Sequence, residues 1–182
     1  MISDALLLLL LAGGSMLGFF RGPIRQLLAI GAWIVTFVGT AHLRAPLGEW
    51  LDASSSELAR DYSMLLAFVA LYLAVYTAAL LLVELGGGAG SSLTRYPLLD
   101  DVLGGVLGFV VAVLFVAGAV VALDSYYLVT PQVQPGEFGW LRDIERSLTG
   151  STVTDLLHEW VIRPLGLLLG PLLPPDIRVV ME

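Results

Sequence analysis

The run Tyr62 to Val83, 22 residues without a charge, limits what this chain can fold into more than any other feature. As a helix it rises about 33 Å at 1.5 Å per residue, enough to cross a hydrocarbon core of about 30 Å. A second run of the same kind, Val102 to Leu123, is bracketed by Asp100 and Asp101 before it and Asp124 after it. Inside a bilayer no water satisfies backbone groups, so a spanning run must close its own hydrogen bonds and is read as helix. Composition agrees: 57% of the 182 residues are apolar, 14% are charged, and the mean hydropathy is +0.87. Soluble domains hold about 45–50% apolar and about 25% charged residues.

Two further spans precede these. The first runs from Asp4 to Phe20. Its apolar start, Ala5 to Ala12, lacks a basic region before it, and its positive charge follows at Arg21 and Arg25, so it reads as a retained helix and not as a signal peptide. In Arg21-Gly22-Pro23 the glycine permits a sharp reversal and the proline suits the first position of a helix. The second span then runs from Ile24 to Leu43, and the two are expected to form a tight hairpin. Arg44 to Asp61 reads as a polar connection with a small amphipathic piece at Leu47, Trp50 and Leu51 lying at the interface. Ser54-Ser55-Ser56-Glu57 matches a capping box for the third helix, and Gly86 to Ser92 is a flexible connector. The fold class expected is all-α: a polytopic membrane protein with four transmembrane helices over residues 1–124 and an amphipathic or interfacial helical tail over 125–182.

That tail holds six of the nine prolines. One helix is expected over Trp140 to Leu148. Another follows Thr152, with Thr152-Val153-Thr154-Asp155 as its cap and Val153, Leu156, Leu157, Trp160 and Val161 on one stripe. Asp155, His158, Glu159 and Arg163 fall on the opposite face. Leu165 to Leu173 is apolar but interrupted by Gly166, Gly170 and Pro171, and too short to span, so it reads as interfacial or re-entrant.

Four spans put both termini on one side. Positive residues near helix ends are retained in the cytoplasm. Arg21, Arg25 and Arg95 lie on one side, against Arg44 and Arg60 on the other, which places both termini outside, in the periplasm of a bacterial inner membrane.

The chemistry available is sparse. All nine basic residues are arginines, scattered singly in a chain of net charge −7, a pattern that argues against nucleic acid and against a polybasic lipid-binding tail. Without cysteine there is no disulfide framework and no thiolate. Gly13-Gly14-Ser15-Met16 resembles a serine nucleophile motif superficially, but Leu17 breaks the pattern and no histidine is expected near. His42 and His158 are isolated, and His158-Glu159 are adjacent residues that point about 100° apart on a helix, so no metal and no cofactor is expected. The expectation is a protein that is not an enzyme.

Within the spans the polar groups are hydroxyls: Ser15, Thr36, Thr40, Ser63, Tyr72, Tyr76 and Thr77. The absence of an ionisable group at depth argues against proton coupling and leaves open a passive pore. Gly14-x-x-x-Gly18 and Gly104-x-x-x-Gly108 each set two glycines on one helix face, for packing within the bundle or against a second copy. Tyr72 and Tyr76 share a face, as a ligand groove or as core, and Trp33 reads as core.

Two segments together resemble the colicin V production protein (CvpA) family. One is Gly18-Phe19-Phe20-Arg21-Gly22-Pro23-Ile24-Arg25-Gln26-Leu27 with Trp33 following, like that family's Gly-x-x-Arg-Gly-x-x-Arg-Glu hairpin. The other is Leu99-Asp100-Asp101-Val102-Leu103-Gly104-Gly105-Val106-Leu107-Gly108, like its Asp-Arg-x-x-Gly-x-x-x-Gly start of the fourth helix, and Asp124-Ser125 also fits. Gln26 stands where an acidic residue is usual and Asp101 where Arg is usual. That leaves Arg21 and Arg25 facing Asp100, Asp101 and Glu84 as an ion-pair cluster. The resemblance implies an inner-membrane protein linked to colicin V production or export and to envelope homeostasis. Related four-helix modules also anchor a periplasmic serine protease, a role that here implies a partner in trans. The expected role is a scaffold or accessory subunit whose partners are the lipid bilayer, a second copy, or another membrane or periplasmic protein. A passive channel or solute exporter component is the alternative.

Overall fold

A computed structural model describes residues 2–54, 60–86, 97–127 and 137–181, and those residues fold into helices without a strand. Four of the helices are long and apolar enough to cross a membrane: α1 (Ile2–Arg21), α2 (Pro23–Ser54), α3 (Arg60–Gly86) and α4 (Pro97–Tyr127). The chain is a multi-pass membrane protein. Most of the proposed capping box and of the glycine-rich connector lies outside the described residues. Ser54 itself ends α2, with its hydroxyl bonded back to the Trp50 carbonyl.

α4 is the central helix. It buries 56% of its apolar window, against 17% for α1 and 22% for α3. The outer helices expose Leu6, Leu9, Phe20, Leu81 and Leu82, a surface that water would penalise and a bilayer accepts. The interior between α2, α3 and α4 is aromatic: Trp33 stacks on Phe37, Phe37 touches Phe68 and Tyr72, and Tyr72 stacks on Phe115.

Three expectations about the spans need correction. The first two helices do turn sharply: Gly22 takes φ 79 and bonds back to the Gly18 carbonyl at 3.0 Å, and Pro23 begins α2. They do not pack as a hairpin, however. α1 lies along α4 and α2 along α3, because glycine faces and an aromatic core hold those pairs together more closely than anything between α1 and α2. The segment after Arg44 is no loop. α2 continues through Pro46 to Ser54, about 48 Å in all. Proline costs this extension one backbone bond, but Gly48 lets it close on α3, where a Cβ would meet Met64 Cα at 2.9 Å. α4 likewise extends beyond Val102 to Leu123 at both ends, taking in Asp100, Asp101 and Asp124.

The tail contains α5 (Gly139–Thr149) and a helical run from Thr152 to Leu172 made of α6 (Thr152–Leu157), a π turn (His158–Ile162), α7 (Arg163–Leu169) and a 3-10 turn (Gly170–Leu172). α8 (Pro175–Met181) follows. Gly166, Gly170 and Pro171 do not interrupt the run before its last turn. The π turn precedes Pro164, whose ring crowds the carbonyl four residues back, and widening the helix there relieves the clash. The apolar stripe is redistributed as a result: Leu157 and Ile162 are buried, whereas Trp160 is 72% exposed. The N-cap of α6 is Ser151, one residue earlier than the expected cap.

Candidate functional site

Two ends of the bundle carry the side chains of interest, and different residues build each. At the Gly22 end, α1 and α4 cross through glycine on glycine. A Cβ on Gly104 would lie 2.5 Å from the Gly18 carbonyl oxygen, one on Gly108 2.5 Å from that of Gly14, and one on Gly18 2.6 Å from Gly108 Cα. Such an approach needs four residues without side chains. Ser15 donates to the Gly105 carbonyl at 3.0 Å across the same crossing, which makes its hydroxyl a helix link. Both glycine faces are therefore occupied within the chain. Beside the crossing, Glu84 of α3 takes Arg21 at 2.9 Å and Arg25 at 3.5 Å. Glu84, one of the expected acidic partners, takes both arginines, and Asp100, another, is buried in the first turn of α4.

Midway along, Trp33 Nε1 donates to the Tyr72 hydroxyl at 2.7 Å, which in turn donates to the Phe115 carbonyl at 3.1 Å. The Tyr72 ring needs Gly118 opposite it, where a Cβ would come within 2.5 Å of the hydroxyl. Tyr72 and Tyr76 are thus buried in the core, stacked on each other and on Phe115.

The other end is where the tail docks, and each spanning helix supplies one polar group to hold it. From α1, Asp4 Oδ1 accepts the Ser151 hydroxyl at 2.8 Å and the Val153 amide at 3.5 Å, capping α6 from another helix. From α2, the buried Arg44 pairs with Asp176 of α8, bonds Ser125 at 3.3 Å and lies over the Phe68 ring. From α3, the Tyr62 hydroxyl accepts the Phe138 amide at 2.9 Å. From α4, Asp124 stands 3.0 Å from His158 Nε2. Of the face opposite the apolar stripe, His158 alone turns toward the bundle: it is partly covered, whereas Asp155, Glu159 and Arg163 are exposed.

Within the tail, Glu137 binds Arg142 through both carboxylate oxygens, at 2.7 and 2.9 Å, and the guanidinium lies 5.2 Å from the Tyr127 ring centre. This pairing raises the Arg142 pKa above its ordinary value.

Of the residues singled out in the sequence, Gly14, Gly18, Gly22, Gly104 and Gly108 gather at one crossing, Arg21 and Arg25 beside it, Trp33 in the core, and Asp124 at the docked end. Asp4, Arg44, Tyr62, Ser151 and Asp176 were not anticipated as a set. Among the described residues no three His, Asp or Glu side chains gather to hold a metal ion. What the geometry can do is fix a helical platform on one end of the bundle.

No curated protein and no solved structure matches the chain. The family model described as colicin V production protein matches residues 3–162, which takes in all four spanning helices and the tail through the π turn. With the match covering most of its length, the chain belongs to the colicin V production protein family.

Proposed function

We propose that this membrane protein is a non-enzymatic scaffold or accessory subunit of the bacterial inner membrane, acting in toxin production or export and in envelope homeostasis. The observation that carries the reading is the tail held by all four spanning helices. Ser151, His158 and Asp176 in it bond the bundle, while Trp140, Ile144, Trp160, Leu167 and Leu168 remain exposed among charged residues such as Arg146, Glu159 and Arg163. A face of that composition suits a bilayer interface or another membrane protein. The aromatic interior weighs against the passive-channel alternative, because Trp33, Phe37, Phe68 and Tyr72 fill the space a pore would need.

Both termini are proposed to be periplasmic. Arg21 and Arg25 follow the first helix, which carries most weight in setting orientation. The tail arginines, docked at the opposite end, pull the other way.

Gentle detergent extraction followed by native mass spectrometry tests the scaffold role. The expected spectrum contains a second copy or a defined membrane or periplasmic partner in fixed stoichiometry. A strictly monomeric, partner-free protein contradicts it.

A further inference from the structure

Three of the ties that hold the tail stand at nearly one height. Gly18 meets Gly108 where α1 and α4 cross. From that level, at 1.5 Å per residue, Asp4 lies about 21 Å away along α1 and Asp124 about 24 Å away along α4. Arg44, reached along α2 from the turn at Gly22, stands about 27 Å above the same level. These three hold Ser151, His158 and Asp176. Ser151 and His158, before and within one helical run, are therefore held level, and Asp176 beyond its end is level with them. The run from Thr152 to Leu172 thus crosses the end of the bundle and does not rise away from it. A hydrocarbon layer of about 30 Å that begins at the Gly22 turn, beside the ion pairs of Arg21 and Arg25 with Glu84, ends close to this height.

The outward side of the run is sorted in a way that suits that height. Leu157, Ile162 and Leu169 are buried. The exposed residues begin as polar and apolar neighbours, Asp155 with Leu156 and Glu159 with Trp160, which point about 100° apart on a helix. One line of the outward side is therefore charged and the line beside it apolar. Past Arg163 the charged line stops and the apolar line goes on through Leu167, at 83% exposure, Leu168 and Leu172. A helix lying in a membrane surface has such a division, with its apolar line sunk toward the acyl chains, and tryptophan favours the headgroup level. The surface is continuous with one that faces lipid already: α1 packs against α6, and Leu6 and Leu9, within two turns of Asp4, are exposed on that spanning helix.

We infer that the run from Thr152 to Leu172 lies in the plane of the bilayer surface and binds lipid, with Leu167, Leu168 and Leu172 among the acyl chains and Asp155 and Glu159 in water. The inference rests on the four spans and not on the scaffold role, which would survive its failure. A second copy or a partner protein on this face would have to displace the leaflet that surrounds α1.

Site-directed spin labelling of the full-length protein in phospholipid vesicles tests the immersion, because the chain has no cysteine of its own. Single cysteines at the exposed positions 155, 159, 167, 168 and 172 carry the nitroxide, with L9C on α1 as the lipid-facing reference. Power saturation then compares collision with oxygen, which concentrates among acyl chains, and with a water-soluble nickel chelate. L167C, L168C and L172C should favour oxygen, as L9C does, and D155C and E159C should favour nickel, so that the logarithm of the accessibility ratio changes sign along the run. Nickel-favoured collision at 167, 168 and 172 would put this face in water and overturn the inference. Oxygen-favoured collision at 155 and 159 as well would mean a run inserted into the bilayer, not lying in its surface, and would overturn it too. So would low collision with both reagents at 167, 168 and 172, which would show a second copy or another protein covering the face.

Discussion

Gly13 and Gly18 lie five residues apart on α1 in opposite surroundings. A Cβ on Gly18 would collide with the backbone of α4, whereas one on Gly13 would meet nothing within 4 Å. Backbone cannot move aside as a flexible side chain can, so Gly18→Leu should destabilise the bundle by at least the about 1–3 kcal/mol typical of overpacking. Gly13→Ala should be neutral or stabilising by up to about 1 kcal/mol, through helix propensity. Thermal unfolding in one detergent compares the two, and equal effects would refute the crossing. The glycine spacing was legible in the sequence because it is local and periodic. Which face each glycine pair would meet was not, since Gly14-x-x-x-Gly18 is as suited to a second copy as to α4. Arg44 was misread for a related reason: an arginine beyond an apolar run signals a membrane edge, and nothing near it in sequence announces Asp176, 132 positions away.

At the scale of elements, the spans were legible and their continuations were not. Long uncharged runs fix helices by the demands of the bilayer alone, whereas Pro46 and the polar residues after Arg44 suggest a loop until α3 is available to pack against. The tail shows the same dependence, because α6 has no side-chain cap of its own and takes one from Asp4. Asp4→Ala should therefore act on α6 more than on α1. Loss of a cap costs about 0.5–2 kcal/mol, and hydrogen exchange should speed up over residues 151–157 while α2, α3 and α4 stay protected. Unchanged exchange in that segment would show that Asp4 does not hold the tail.

At the scale of the whole molecule, the account reduces to an arrangement with two unlike ends. The Gly22 end is closed by bare backbone contact and by two arginines on Glu84; the other end is covered by helices tied to all four spans. This arrangement requires Ser54 at the end of α2 and Ser147 on α5 to lie on the same side of the membrane, with Ser91, between α3 and α4, on the other. Both Ser54 and Ser147 are exposed, whereas Ser151 is buried and unsuited to labelling. Because the chain has no cysteine, the direct measurement is single-cysteine labelling at these three positions with a membrane-impermeant thiol reagent, in intact and in broken cells. The account predicts S54C and S147C labelled from outside and S91C only after the cells are broken. Sidedness that differs between positions 54 and 147, or that is shared between 91 and 147, would contradict it.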